Sequence, residues 1–418
     1  MKVLLVNKFH YMRGGSETYY FGLADLLREK GHEVVCFSMK DDKNLPCEQA
    51  KWFVENVDYN GQNGALRKLK MAKDMIWSGD AKARFEQLVL AEKPDVVHIG
   101  LVHRQITLSI LEVTRKYNIP VVFIVHDLIW ICPCYTMLSQ GSFCDDCVSG
   151  HYASCVKKKC VKGSTAKSLL AVAEAKFIRS KGYADHIDLY IAQCARYKGL
   201  MEGAGFTKAP IVHMVNFLPK EKTYEQHAPA GQPYYLYFGR FSQEKGILTL
   251  MKAYLASGVK EPLWIVGAGP EKERIEAFWK ESGCPESIRL VGPTYGAEME
   301  QILRGCKAVV VPSEWEENCP YAMMEAMAKG VPVVAARVGG LPELIRDGVS
   351  GRLFTAANVQ ELAACLRDIS ALDADAYHAM CEAVLADARE KFDRDRYADR
   401  LLELYNKLIA EKGAPNYG

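Results

Sequence analysis

The sequence predicts an α/β protein built from two Rossmann-like domains with a cleft between them. Three observations carry that expectation. Through the first half, short apolar runs alternate with amphipathic stretches, the pattern of a parallel sheet covered on both faces. The same alternation restarts at Tyr234. Between the halves, residues 219–233 (PKEKTYEQHAPAGQP) are polar and proline-bearing, a linker by composition. Domains of this kind bind ligands at the carboxyl ends of their strands.

The elements follow in order. Residues 3–6 (VLLV) read as the first strand, and 18–30 as a helix that stops at Gly31. Residues 33–37, 95–99 and 120–125 read as further strands. In the second half the strands are expected at 234–238, 263–266, 288–291, 308–311 and 332–335, with a helix over 247–255. Residues 395–412 are amphipathic. The expected division is therefore 1–218, containing a cysteine-rich insertion at 132–163, and 219–394. A dinucleotide fingerprint is missing: a long loop, 7–13, separates the first strand from Gly14-Gly15, where G-x-G-x-x-G would have to follow directly. That argues against an NAD enzyme.

Composition sets outer bounds. The 418 residues, 49% hydrophobic, suit two globular domains. No apolar run approaches about 18 residues, so no spanning helix is expected. The start, MKVLLVNKF, lacks the length and small-residue cleavage site of a signal peptide and reads as a buried strand. A cytoplasmic protein is the expectation, and a nucleic-acid partner is not expected. The net charge of +2 conceals an asymmetry: residues 1–200 carry 28 Lys and Arg against 21 Asp and Glu. Much of the excess lies in 157–198. A basic first half can help the domains close, attract an anionic membrane or phosphorylated acceptor, or simply be an uneven solvated surface. Residues 66–77 (LRKLKMAKDMIW) mix basic and apolar side chains at helical spacing, which suits either a membrane surface or an ordinary amphipathic helix.

The most informative stretch is Glu317 to Glu325, ENCPYAMME. The apolar run 308–311 before it ends at Pro312-Ser313, and a helix continues from it to Gly330. Pro320 suits the first helical position, where a missing N–H costs nothing. Glu317 then lies in the loop before a helix start and Glu325 in its second turn. The N–H groups between them, helped by the helix dipole, make an anion site. Two carboxylates beside such a site suit a nucleotide-sugar. The blander alternative is a surface helix with ordinary acidic residues.

A basic loop complements it. The aromatic run YYLYF (234–238) leads into Gly239-Arg240-Phe241-Ser242-Gln243-Glu244-Lys245-Gly246. The glycines permit a sharp turn after the strand. Arg240 offers a planar fork to phosphate oxygens and Lys245 a compact charge, and both can converge on one anion or face solvent.

Taken together, GRFSQEKG (239–246), VGAGPEKERI (266–275), VPSEWEENCPYAMMEAMAKGVPVV (311–334) and GGLPELIRDGVSGRLF (339–354) resemble glycosyltransferase family 4, the retaining nucleotide-sugar enzymes of the GT-B fold. The first half is similar more loosely, through Gly14-Gly15-Ser16-Glu17 and Val125-His126-Asp127. Asn318-Cys319 departs from the common pattern and bears on substrate choice. The resemblance implies that Arg240 and Lys245 hold the donor diphosphate and stabilise the leaving group. It implies that Glu325 binds the ribose hydroxyls and Glu317 a donor-sugar hydroxyl, with the amides of Tyr321 and Ala322 on the diphosphate or sugar. His126 would meet the donor sugar near the reacting carbon, and Gly14 and Gly15 would bring backbone close to donor and acceptor. The terminal helix (395–418) would cross back onto the first domain.

Six of the fourteen cysteines fall between Cys132 and Cys160. A cytoplasmic chain argues against structural disulfides. Cys144-x2-Cys147-x7-Cys155-x4-Cys160 supplies the four thiolates of a structural zinc, with Cys132 and Cys134 as alternative ligands or packing groups. Free thiols, a redox pair and an iron–sulfur cluster are the competing readings. His98 and His103, near a strand end, either line the ligand-binding face or pack. Asp373-x-Asp375 and Asp393-x-Asp395 read as solvated.

The expectation is a retaining glycosyltransferase that moves a sugar from a nucleoside-diphosphate sugar to a hydroxyl acceptor, with no cofactor for the chemistry. A lipid-linked or surface-polysaccharide glycan is the expected acceptor, with peripheral contact at the inner face of a membrane. The alternatives are a sugar-phosphate synthase or phosphorylase acting on a soluble acceptor, and a non-catalytic nucleotide-sugar sensor.

Overall fold

The structure is a computed structural model, and it describes residues 1–56, 65–227 and 232–418, with the side chains of 65–69 excepted. It divides into two compact units. The first holds Met1–Ser139, Cys144–Pro219 and Arg394–Gly418, and the second Gln140–Phe143 and Lys220–Asp393.

In the first unit, β1 (Lys2–Val6), β2 (Glu33–Phe37), β3 (Val96–Ile99) and β4 (Val121–Val125) are nearly continuous apolar runs. The two-residue β5 (Leu138–Ser139) comes next in this unit, β6 (Ser142–Phe143) is counted with the second, and β7 (Leu189–Ala192) and β8 (Ile211–His213) follow in the first. The six long strands form one parallel sheet in the order β2-β1-β3-β4-β7-β8. Such runs suit a sheet buried on both faces, and Val3 to Val6 and Val121 to Val125 are all at most 3% exposed. The first helix spans Gly15–Glu29, three residues earlier than expected, because Gly14 carbonyl oxygen accepts from the amides of Glu17 and Thr18.

The final helix, Arg394–Lys412, belongs to this unit. Its Tyr405 hydroxyl lies 2.6 Å from His98 Nδ1, its Tyr397 hydroxyl 2.7 Å from that of Tyr19, and Lys412 Nζ donates to Asp188 at 2.7 Å. Buried tyrosines need polar partners, so the apolar face of the helix is locked in register by them.

The second unit repeats the plan with β9 (Tyr234–Arg240), β10 (Leu263–Ala268), β11 (Ile288–Val291), β12 (Cys306–Val311), β13 (Val333–Ala336) and β14 (Gly351–Phe354). The order is β11-β10-β9-β12-β13-β14, parallel throughout. β9 and β12 are therefore neighbours at the centre, and the loops that leave their carboxyl ends emerge side by side. Those loops carry Arg240, Lys245 and Glu317.

Part of the expected linker is structured. Residues 220–227 belong to the second unit, where Glu225 accepts from Lys329 at 2.6 Å and from Arg304 at 2.8 Å. Residues 228–231 of that stretch lie outside the described residues. The helix expected over 66–77 spans Ala65–Ile76. Among the described residues, no helix is long and apolar enough to cross a membrane.

Candidate active site

The geometry of the second unit starts from a backbone contact. Gly246 has φ +66°, and a Cβ there would sit 1.9 Å from the carbonyl oxygen of Pro312. Only glycine lets the loop after β9 close on the chain that leaves β12. Glu314 N donates to Glu244 O at 2.8 Å beside that contact. The turn Gln243–Lys245 then presents Lys245, whose Nζ donates to Glu317 Oε1 at 2.5 Å. Ser313 Oγ donates to the same oxygen at 2.6 Å. The ammonium also sits 5.4 Å from the centre of the Trp315 ring. Burial is the strongest influence on Glu317 and pushes its carboxyl upward. The charge and hydrogen bond of Lys245, with the hydrogen bond of Ser313, overcome it and hold the group below the ordinary value.

Glu317 is held by its backbone too. Its carbonyl oxygen accepts from Gly340 N at 2.8 Å, and Glu316 Oε2 accepts from Gly339 N at 3.0 Å. Gly339 has φ +54°, and a Cβ on it would lie 1.7 Å from that Glu317 carbonyl oxygen. The helix then runs Tyr321–Ala328 with Pro320 as its N-cap. Pro320 thus stands one position before the expected one, because its ψ of 127° is extended. The Tyr321 and Ala322 amides open the helix at the end where the dipole is positive.

Glu325, in the second turn of that helix, has partners of its own. It lies 3.4 Å from Lys222 Nζ, with Glu300 3.7 Å from the same ammonium, beside a small cavity that Met299, Leu303 and Ala328 help to line. Burial raises its carboxyl, and Lys222 only partly opposes that. Arg240 ends β9 with an exposed side chain, and among the described residues no carboxylate pairs with it. One basic group is therefore anchored by a buried acid, while the other is presented to solvent.

In the first unit, His126 follows β4 and Gly14 precedes the first helix. A Cβ on Gly100 would meet Asn7 Oδ1 at 3.0 Å and His126 Nε2 at 3.6 Å, so that ring nitrogen lies over a bare backbone. The Tyr19 ring packs edge-on against His126 at 5.5 Å. Burial lowers His126 to about 4, which keeps it neutral at pH 7. Asn7 Nδ2 and Ser16 Oγ donate to the buried Glu17 at 3.1 and 2.8 Å, just past Gly14 and Gly15. Lys8 is lowered by burial, against the opposing charge of Asp127. His98 is a packed histidine, bound to Tyr19 and Tyr405. His103 is buried 3.7 Å from Glu174, which Arg104 meets at 3.2 Å.

Two family profiles match the chain: "Glycosyl transferases group 1" over residues 219–384 and "Glycosyltransferase Family 4" over residues 13–142. The chain belongs to glycosyltransferase family 4. In fold it is similar to the sucrose-phosphate synthase of Thermosynechococcus elongatus, with TM-score 0.72, 19% identity and coverage of 98% of this chain and 99% of that one. It is likewise similar to Anabaena HepE in complex with UDP-glucose, with TM-score 0.68, 19% identity and coverage of 97% and 100%. Both likenesses establish the GT-B fold. A Salmonella typhimurium protein named for colanic acid biosynthesis as a glycosyltransferase is 32% identical over 164 residues, 37% of this chain. That stretch spans 39% of the relative's length.

Within this family 4 chain, sequence reasoning overlooked three contributors. In the sequence Ser313 reads as a strand end, Lys222 as linker, and Gly339 as part of a matching string without a contact. Lys222 carried no signal beyond its charge. Gly339-Gly340 did: paired glycines before a helix point to a tight backbone approach. The four cysteines Cys144, Cys147, Cys155 and Cys160 line one small cavity together with Cys132 and Cys134. Asp373 caps a helix by accepting from Ala376 N at 2.8 Å, and Asp395 pairs with Lys30 at 2.9 Å.

Proposed function

We propose that the protein is a retaining glycosyltransferase that uses a nucleoside-diphosphate sugar. The observation that carries this reading is the Lys245–Glu317 pair at the opening of the Tyr321–Ala328 helix, beside the exposed Arg240. Arg240, Lys245 and the amides of Tyr321 and Ala322 take the donor diphosphate. As the bond from the anomeric carbon to the diphosphate oxygen breaks, negative charge grows on that oxygen, and these groups stabilise it. Glu317 holds the ammonium in place and accepts from a sugar hydroxyl. Glu325 takes the ribose hydroxyls. The acceptor oxygen attacks from the face the leaving group departs, and its proton passes to a diphosphate oxygen. Neutral His126 donates to or accepts from the sugar without adding charge.

Positive charge supplied by Arg240 and Lys245 supports chemistry that runs without a divalent ion. The acceptor is a lipid-linked or surface-polysaccharide glycan. That part rests on the name of the Salmonella relative and on the basic excess of residues 1–200, which favours an anionic membrane face.

The test is release of nucleoside diphosphate from UDP-, GDP-, ADP- and TDP-sugars in the presence of chelator, with Glu325→Ala as control. Release from one donor, lost in the control, is expected. Once an acceptor is found, NMR of the product anomer decides retention. Inversion, or strict dependence on an added divalent ion, overturns the corresponding part. Activity on soluble sugars alone, with no flotation on anionic vesicles, overturns the acceptor class.

A further inference from the structure

The proposed sugar chemistry calls on no side chain from Cys132 to Lys162, yet this segment holds six thiols around one cavity. Cys132, Cys134, Cys144, Cys147, Cys155 and Cys160 all line a space of about 10 Å³, room for one atom-sized occupant. Regular structure around it is sparse, and the only helix inside it is five residues, Ala153–Lys157. Its local core is small: Cys147, Tyr152, Cys155 and Val172. Tyr135, Met137, Lys159 and Lys162 are non-glycine residues with φ between 48° and 62°. A loop-rich piece of this size buries too little apolar surface to hold strained backbone and normally needs a cross-link.

The backbone already sets the thiols out in pairs. Val148 N donates to Asp145 O at 3.0 Å and Gly150 N to Cys147 O at 2.9 Å, folding Cys144 and Cys147 into a tight knuckle. Cys160 N donates to Cys155 O at 3.1 Å, which brings the second pair around one turn. Cys132 and Cys134 are engaged separately: their sulfurs are 3.3 Å apart, and Cys134 Sγ is also 3.5 Å from Thr136 Oγ1. Lys158 Nζ donates to Cys144 Sγ at 3.5 Å and pairs with Asp146 at 2.9 Å. That is the outer contact a thiolate ligand receives, and Lys157, Lys159 and Lys162 add positive charge nearby.

We propose that Cys144, Cys147, Cys155 and Cys160 bind one zinc ion that folds this segment, with the Cys132–Cys134 pair packed behind it. As they stand, no three His, Cys, Asp or Glu side chains among the described residues form a group placed to hold a metal ion. Binding requires the four sulfurs to draw in to zinc–sulfur distances of about 2.3 Å, and Cys144 and Cys160 are only half-buried. The ion withdraws the thiol protons and cross-links two pairs 11 residues apart (Cys144 to Cys155), and the neighbouring lysines offset the resulting negative charge. The basic excess around residue 158 then has a local cause.

The experiment measures metal content of the purified full chain by mass spectrometry, alongside Cys144→Ser, Cys147→Ser, Cys155→Ser, Cys160→Ser, Cys134→Ser and the exposed Cys284→Ser. About one zinc per chain is expected in the wild type, in Cys134→Ser and in Cys284→Ser, with at least a fivefold loss in each of the other four. Cobalt exchanged into the wild type is expected to give thiolate charge-transfer and tetrahedral ligand-field bands, a readout that survives misfolding of any variant. A wild-type chain without metal, whose cysteines all react as free thiols on denaturation, overturns the proposal. So does one that carries a disulfide, or iron with acid-labile sulfide. Loss of zinc in Cys134→Ser but not in Cys144→Ser overturns the ligand assignment.

Discussion

Lys245 Nζ donates to Glu317 Oε1 at 2.5 Å across 72 residues of sequence, and Ser313 donates to the same oxygen. The pair ties the loop after β9 to the loop after β12, so the two central strands share one charge-bearing contact. Lys245→Ala is expected to lower turnover by about 10²–10³, the scale of one lost oxyanion-type donor. The KM for donor should change far less than kcat, because the charge it meets develops in the transition state. Steady-state kinetics with the active donor check this, and a purely KM effect would show that Lys245 serves binding alone.

Glu317 also makes stability depend on pH. Its folded-state carboxyl lies below the usual 4.5, so its contribution is present above that value and is lost as pH falls through the folded value. Removing one member of a buried pair leaves the other uncompensated, at about 3–5 kcal/mol at most. Lys245 retains some solvent access, so the lower end is expected. Urea midpoints of wild type and Glu317→Gln should differ clearly at pH 7 and converge as the pH falls from 4.5 through the folded value. A gap that stays constant with pH would remove the ion pair as its cause.

Gly339→Ala tests the backbone support. The residue has φ +54°, and its new methyl would lie 1.7 Å from the Glu317 carbonyl oxygen. The strained conformation alone costs about 1–3 kcal/mol, and the clash forces the Glu317 loop to move. The expected outcome is lower stability together with at least a tenfold loss of activity. Gly283→Ala, also at positive φ but with nothing within 4 Å, is expected to lose stability without that activity loss. Equal activity losses in both would sever the link between Gly339 and the site.

Much of this arrangement was legible in the sequence, and the reasons are physical. The strands at 33–37 and 288–291 have the boundaries expected of them, each a mostly apolar run closed off by polar or turn residues. β7, β8 and β14 were not among the expected strands; each is only three or four residues long. Glu317 and Lys245 were legible as a pair of motifs, each on a loop that follows an apolar run. Their direct contact was not, because only the strand order β9-β12 makes those loops adjacent. Glu325 was legible as a second-turn residue of the helix that Glu317 precedes. Its pairing with Lys222 depends on how residues 220–227 lie along the second unit, and no periodicity encodes that.

Glu325 carries a trade between stability and binding. Burial raises its folded-state carboxyl, and Lys222 and Glu300 modify that shift in opposite directions. A raised acid means that folding disfavours the charged form, so wild type loses stability relative to a neutral residue as pH rises through 4.5. Glu325→Gln is therefore expected to melt higher than wild type at pH 7 and to match it near pH 4, while donor affinity falls at least tenfold. Thermal melts across pH, with calorimetric titration of the active nucleotide, separate the two effects. A variant that melts lower at pH 7 would mean that the Lys222 pair outweighs burial.

His98 sets the acid sensitivity of the first unit. Its two nitrogens lie 3.2 Å from the Tyr19 hydroxyl and 2.6 Å from that of Tyr405, and burial followed by the charge of His126 lowers it to about 3. A base whose folded-state pKa falls from 6.5 contributes stability that is whole above 6.5 and drains as pH drops toward 3. The slope is about 1.4 kcal/mol per pH unit for one proton. His126, lowered to about 4, adds a second such slope over the upper part of that range. His98→Gln should remove its own share, so unfolding free energy between pH 6 and 4 should fall less steeply by about 1.4 kcal/mol per pH unit. Tyr405→Phe should cost about 1–2 kcal/mol at pH 7 through the lost partner and leave the slope in place. The terminal helix carries Tyr405, so the same measurement reports how firmly it docks: an unchanged slope in His98→Gln would mean that the helix opens before His98 has to protonate.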